Sequence, residues 1–244
     1  MGNYFVFNGQ SSWELGIRIK SKNIYSSGKR DLTLVSIPGR DGDLVSSNNR
    51  FVNSTVSYTC FLPASSIADL NTKIRNVKKW LFLDSDQYHE LTDSYDPAFS
   101  RYSIFNSKLD IADEANRIGT FTITFSCKPF RYLVSSLEKE TITAGDTLFN
   151  PFPFASKPYF KITGSGNINL SIATSKGTKV YHFKNVSGYV ECDSELMNCY
   201  KGTVLKNNDF EADDFPYLEP GNNVITLSGG TVTKLEVIAR WWCL

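Results

Sequence analysis

The chain has 244 residues, 41% of them hydrophobic and 21% charged, with 26 Lys plus Arg against 25 Asp plus Glu. That apolar content can offset the entropy of ordering a core, and the length suits two domains or one large all-β domain. A net charge of +1 provides no general pull toward nucleic acid or anionic lipid, so nonspecific polyanion binding is not expected.

The start, Met1-Gly2-Asn3-Tyr4, has no basic region followed by an apolar one, which predicts no secretory signal and a protein made in the cytosol. Runs rich in β-branched and aromatic residues predict strands at 4–7, 15–19, 32–37 and 52–60. Pro38-Gly39-Arg40-Asp41-Gly42 reads as a shaped, exposed loop, because proline fixes one φ angle and the glycines take positive φ at little cost. Ile67, Leu70, Ile74, Val77 and Leu81 recur at intervals of three and four, the spacing of one helix face, and predict a helix over about 65–83 capped by Ser65 or Ser66. Lys73, Arg75, Lys78 and Lys79 fall mostly on its other face and read as solvated charges. The longest apolar stretches, such as Trp80 to Leu83, fall far short of the roughly 20 residues a membrane-spanning helix needs, so no membrane insertion is expected. A strand at 102–109 precedes the clearest one, 118–127. There Phe121, Ile123, Phe125 and Cys127 alternate with Thr122, Thr124 and Ser126, which implies a half-buried antiparallel sheet.

The proline-punctuated passage Asn150-Pro151-Phe152-Pro153-Phe154 admits no continuous helix or central strand, and the domain junction is placed near 140. This divides the chain into a first domain, 1–140, and a second, 141–244. Short strands at 159–163, 167–173, 180–183, 189–192, 223–227 and 232–239, separated by glycine-containing turns such as Gly164-Ser165-Gly166, point to a β-sandwich. The last strand, 235–244, carries Arg240-Trp241-Trp242. In an extended segment the two tryptophans face opposite sides, so one enters the core and the other meets solvent or a covering surface.

No catalytic constellation emerges, and no cofactor or metal is expected. Gly164-Ser165-Gly166 lacks the flanks of a GxSxG elbow, and Cys127 on an apolar strand face packs as a small hydrophobe. Cys60, Cys127, Cys192, Cys199 and Cys243 are odd in number and scattered, which argues for reduced thiols. Asp193 and Glu195 imitate a glycosidase pair but sit at a strand end, where a turn bonded to its own backbone is the plainer reading. Asp209, Glu211, Asp213 and Asp214 lack the glycine and terminal glutamate of an EF-hand.

The tail Leu235-Glu236-Val237-Ile238-Ala239-Arg240-Trp241-Trp242 and the preceding Phe215-Pro216-Tyr217-Leu218-Glu219-Pro220-Gly221 resemble the C-terminal end of siphophage distal tail (Dit) proteins. Phe5-Val6-Phe7-Asn8-Gly9, the loop 38–42, Phe125-Ser126-Cys127-Lys128-Pro129-Phe130, Ala155-Ser156-Lys157-Pro158 and Val190-Glu191-Cys192-Asp193-Ser194-Glu195 agree in order. Ala239 departs from the family, many members of which carry proline there. The resemblance implies a mainly β protein: an N-terminal β-sandwich-like domain with one helix that forms a ring, and a C-terminal galectin-like β-sandwich. It further implies a homo-hexameric hub at the virion tail tip or baseplate, assembled in the host cytoplasm. Its partners would be the tail tube protein, the tail-tip (Tal) protein and, in many phages, receptor-binding proteins. Candidate assembly residues are Pro38, Gly39, Arg40, Asp41 and Gly42 in the loop, with Arg240, Trp241 and Trp242 in the tail. The alternative is a carbohydrate-binding module for host cell-wall polysaccharide, which the aromatic content motivates.

Overall fold

In the computed structural model, which describes residues 2–244, the chain divides between Arg131 and Tyr132. The strands of the first unit are β1 (Phe5–Phe7), β2 (Gln10–Ser11), β3 (Arg18–Asn23), β4 (Arg30–Val35), β5 (Leu44–Phe51), β6 (Ser54–Pro63), β7 (His89–Asp93), β8 (Phe99–Ile104), β9 (Ile111–Glu114) and β10 (Ile118–Cys127); helix α1 (Ile67–Phe82) follows β6. The main sheet runs β2-β1-β7-β8-β10-β6-β3, with β9 on β10, while β4 and β5 form a separate two-stranded sheet.

The alternating strand lies inside that sheet. Its ladder with β6 is antiparallel from Ile118↔Pro63 to Cys127↔Ser54, which places Phe121 opposite Cys60, Ile123 opposite Tyr58 and Phe125 opposite Val56. All six are buried, and Phe5 stacks on Tyr58 with ring centroids 4.3 Å apart. α1 closes over this core as its spacing predicts. Ser66 Oγ accepts from the Asp69 N–H at 3.2 Å, and Leu70, Val77 and Leu81 are buried. Ile67 departs from the expected stripe and stays exposed in the first turn. Trp80, which the stripe omitted, is buried and donates its indole N–H to the Phe7 carbonyl at 3.0 Å. A buried indole needs such a partner, and that ties α1 to β1.

β11 (Arg131–Leu133) spans the division. The second unit then contains β12 (Glu140–Ile142), β13 (Thr147–Asn150), β14 (Tyr159–Thr174), β15 (Gly177–Asp193), β16 (Asn198–Lys201), β17 (Val204–Leu205), β18 (Phe210–Glu211), β19 (Gly221–Ser228), β20 (Thr231–Ile238) and β21 (Trp242–Cys243). Residues up to 140, assigned to the first domain by the proline pattern, are bonded to the second unit instead. Leu133 N–H donates to the Trp241 carbonyl at 2.9 Å, and the N–H groups of Arg240 and Trp241 donate to the carbonyl and hydroxyl of Ser136.

The sheet runs β12-β20-β14-β15-β16-β17, with β19 also on β14, β13 on β19 and β18 on β15. Four of the expected short strands are in fact two long ones. Gly164-Ser165-Gly166 is not a hairpin turn: it lies inside β14, where the strand changes partners. Tyr159 to Ser165 pair with β20, and Asn169 to Ala173 pair with β19. The register with β15 shifts between Gly166 and Ile168, and Gly166 has φ +93°. A glycine bulge bends a strand without ending it, and glycine composition alone does not separate that from a turn. The long hairpin therefore contributes Phe160, Ile162, Leu170, Tyr181, Phe183 and Val190 to a single core.

Gly164 also allows a close backbone approach, since a Cβ there would lie 2.2 Å from the Thr231 carbonyl oxygen. Gly164→Ala is expected to destabilise the second unit by about 1–3 kcal/mol through overpacking against backbone. Urea denaturation, with the midpoint falling and the slope unchanged, checks this.

Candidate functional site

The loop 38–42 joins β4 to β5 at the tip of a projecting hairpin. Gly39 and Gly42 have φ +78° and +79°, and a Cβ at either would meet nothing, so backbone conformation and not space calls for glycine. Pro38, Gly39, Arg40, Asp41 and Gly42 are all exposed, as expected. The root is fixed: Val52 N–H donates to the Lys29 carbonyl at 3.0 Å, and Gly28 packs against Val52 and Pro129. Beyond the root, Leu34 pairs with Val45, at 62% and 57% exposure, and Val35 pairs with Leu44 on the opposite face. A two-stranded ribbon is marginal alone in water, and this one has apolar side chains exposed on both faces.

The tail is built differently. β20 stops at Ile238, and Arg240 takes φ +54° before β21 begins, so the expected continuous strand over 235–244 is broken there. The break turns the guanidinium onto Asp193: Nη1 lies 2.7 Å from Oδ1 and Nη2 2.8 Å from Oδ2, with Glu195 at 3.7 Å from Nη1. Asp193 also accepts from the N–H groups of Glu195 and Leu196. Trp241 is buried in the second core. Trp242, expected to await a covering surface, has one in its own unit. Its ring stacks on Phe154 at 4.5 Å, and its indole N–H donates to the Ala155 carbonyl at 3.0 Å. The end of the proline passage thus covers the tail within the unit.

Burial raises the pKa of Asp193, but the Arg240 hydrogen bonds and charge, with the two backbone donors, outweigh it and hold the carboxyl below the usual carboxylate range. Asp193 thus closes the backbone-bonded turn expected at this strand end and spends both oxygens on partners within the unit. Because the native acid is the stronger one, the stability it contributes is complete above the unfolded value of about 4 and lost as pH falls through the lower native value. The stability gap between wild type and Asp193→Asn is expected to be constant from pH 7 to about 5 and to close below about 4 in urea melts.

An open groove of about 580 Å³ in the second unit is lined by Asn167, Asn169, His182, Lys184, Glu211 and Asp213, among others. Its polar groups largely engage one another: the His182 Nδ1 lies 2.7 Å from Asn169 Oδ1, and Lys184 lies 2.5 Å from Glu211. The one aromatic residue of the lining, Phe183, is buried in the core. Cys127 and Cys60 behave as packed thiols, with burial raising their pKa values to about 11 and about 12.

Residues 10–127, which run from β2 through the projecting hairpin to the end of β10, match the family described as phage tail protein RIFT-related domain. The first unit therefore carries a stretch similar to that phage tail family. The likeness of fold extends over its whole length. The Dit protein of phage SPP1 overlaps 100% of this chain and 100% of its own at 14% identity, with a TM-score of 0.74. The baseplate of phage p2 in its activated conformation overlaps 97% of each chain at 10% identity and a TM-score of 0.47. No curated protein matches the sequence. The distal tail resemblance carried by the ordered motifs is borne out, and so is the mainly β fold with one helix. The hairpin faces, which carry part of the exposed apolar surface, were missed in the sequence because β5 reads Leu44-Val45-Ser46-Ser47-Asn48-Asn49-Arg50-Phe51, too polar to stand out as a strand.

Proposed function

We propose that the chain is a distal tail subunit that closes into a ring of six at the siphophage tail tip or baseplate. In that ring it joins the tail tube protein to the tail-tip (Tal) protein and to receptor-binding proteins during host adsorption. The observation that carries the proposal is hairpin β4–β5, rooted in the first unit with Leu34, Val35, Leu44 and Val45 exposed. Such a ribbon gains most when a neighbouring copy covers it, and a head-to-tail contact that closes on itself leaves no unmatched surface. The tail family of residues 10–127 supports the setting, as does the fold shared with the SPP1 protein, described as a paradigm of the hub of the adsorption apparatus in phages infecting Gram-positive hosts.

In this reading Pro38, Gly39, Arg40, Asp41 and Gly42 aim the hairpin. Arg240, Trp241 and Trp242 act within the subunit as the clamp of the second unit, not as a contact between subunits. The role is mechanical and involves no bond-making step. Assembly takes place in the host cytoplasm, and the finished ring travels with the virion. Polysaccharide binding by the second unit has weaker support, because the groove beside His182 presents no exposed aromatic face on which a pyranose could stack, and the half-exposed rings of Tyr189 and Tyr217 beside two other cavities already carry Lys161 and Lys179. The test is negative-stain imaging of virions labelled with an antibody raised against the chain. Label at the tail tip is expected; label confined to the capsid, or none on intact and tip-disrupted virions alike, would refute the reading.

A further inference from the structure

β15 and β16 form a tight hairpin in which Cys192 lies directly opposite Cys199, flanked by the pairs Glu191↔Tyr200 and Asp193↔Asn198. The backbone bonds define the kind of pair. Cys199 donates its N–H to Asn207 Oδ1 at 2.6 Å and accepts at its carbonyl from the Lys206 N–H at 2.7 Å, so both groups point away from β15. On the other strand, Ser194 N–H donates to the Pro158 carbonyl at 3.1 Å, which turns the same-parity Cys192 toward β14. Neither cysteine bonds its backbone to the other, which makes them a non-hydrogen-bonded antiparallel pair. That class has the closer approach, with Cα atoms about 4.5 Å apart and side chains on one face. The separation lies within the range that a disulfide bridges without backbone movement.

We infer that Cys192 and Cys199 form a modification site, a dithiol that a small-molecule disulfide oxidises to a cross-strand disulfide locking the β15–β16 hairpin. The geometry alone carries this, and it does not depend on the assembly reading. In the reduced protein the neighbouring Cys199 side chain, then burial, pushes the Cys192 pKa up. Both thiols are buried, so reaction waits on opening of the sheet end. There β16 is backed only by the two-residue strand β17, whose Val204 and Leu205 are exposed. Once opened, the Cys192 thiol loses its proton to solvent, and the thiolate attacks one sulfur of the small disulfide, releasing one small thiolate. Cys199, deprotonated in turn, attacks the Cys192 sulfur of the mixed disulfide and expels the second. The two protons neutralise the two leaving thiolates; the protein loses two hydrogens and the small disulfide gains them.

The experiment incubates the full-length chain with oxidised glutathione at graded ratios to reduced glutathione. The protein is then quenched with N-ethylmaleimide under denaturing conditions, and the tryptic peptide 185–201, which holds both cysteines, is weighed. The expected result is a peptide lighter by two hydrogens that takes no maleimide until reduced, while Cys60 and Cys127 are still alkylated. In Cys199→Ser the same peptide should carry one glutathione or one maleimide. Two maleimides on 185–201 at the most oxidising ratio would overturn the inference. So would a stable glutathione adduct in wild type, a bridge between chains, or oxidation seen only where near-ultraviolet circular dichroism shows the protein unfolded.

Discussion

Arg240→Ala is expected to destabilise the second unit by about 3–5 kcal/mol, the usual cost of leaving a buried charge without its partner. Asp193 is 5% exposed, and both of its oxygens are bonded by the one guanidinium. Without Arg240 two backbone donors remain, too few to stabilise a desolvated carboxylate. The left-handed φ of Arg240 adds a second cost for alanine, which loses the anchor that holds that conformation. Arg240 and Trp241 also bond Ser136, so the loss should spread to the segment entering the unit. A double-mutant cycle with Arg240→Met and Asp193→Leu separates pairing from packing, and the double variant is expected to recover much of what either single variant loses. Losses that simply add in urea melts would contradict this account of the clamp.

Leu34→Lys with Val45→Glu is expected to abolish self-assembly while leaving the melting of the subunit nearly unchanged. In the free subunit both side chains are exposed, and exposed substitutions usually change stability by no more than about 0.5 kcal/mol. In a ring each copy would bury them, and apolar anchors at an interface centre typically cost about 2 kcal/mol or more when lost, roughly a thirtyfold weakening at every contact. Closure multiplies that loss around the ring. Sedimentation velocity beside a thermal melt of the same variant makes the comparison, and equal assembly of variant and wild type would show that the hairpin is not the contact.

Legibility in the sequence followed physical cause. Where one periodicity met one environment, as in 118–127 and in the stripe Leu70, Val77 and Leu81, burial in the structure matches the pattern. Where a residue has two uses, the pattern failed. Gly164 and Gly166 serve a bulge as readily as a turn, and the prolines near 150 lie inside the second unit as readily as at its border. Trp242 was correctly separated from Trp241 by the alternation argument, yet its cover lies far away in the sequence, at Phe154 and Ala155. Arg240 entered as part of a family motif, and its partner Asp193 entered as a rejected catalytic residue. The pairing between them depends on a left-handed residue that composition does not announce. The apolar hairpin was hardest to read, since its surface arises from two strands of which one is polar in sequence.

Native mass spectrometry of the purified chain across a wide concentration range tests whether it is a ring-forming subunit whose exposed hairpin binds the next copy. A closed species of six copies, absent in the Leu34→Lys and Val45→Glu double variant, is the result predicted. A monomer at every concentration and salt, or open polymers of no fixed number, would contradict it.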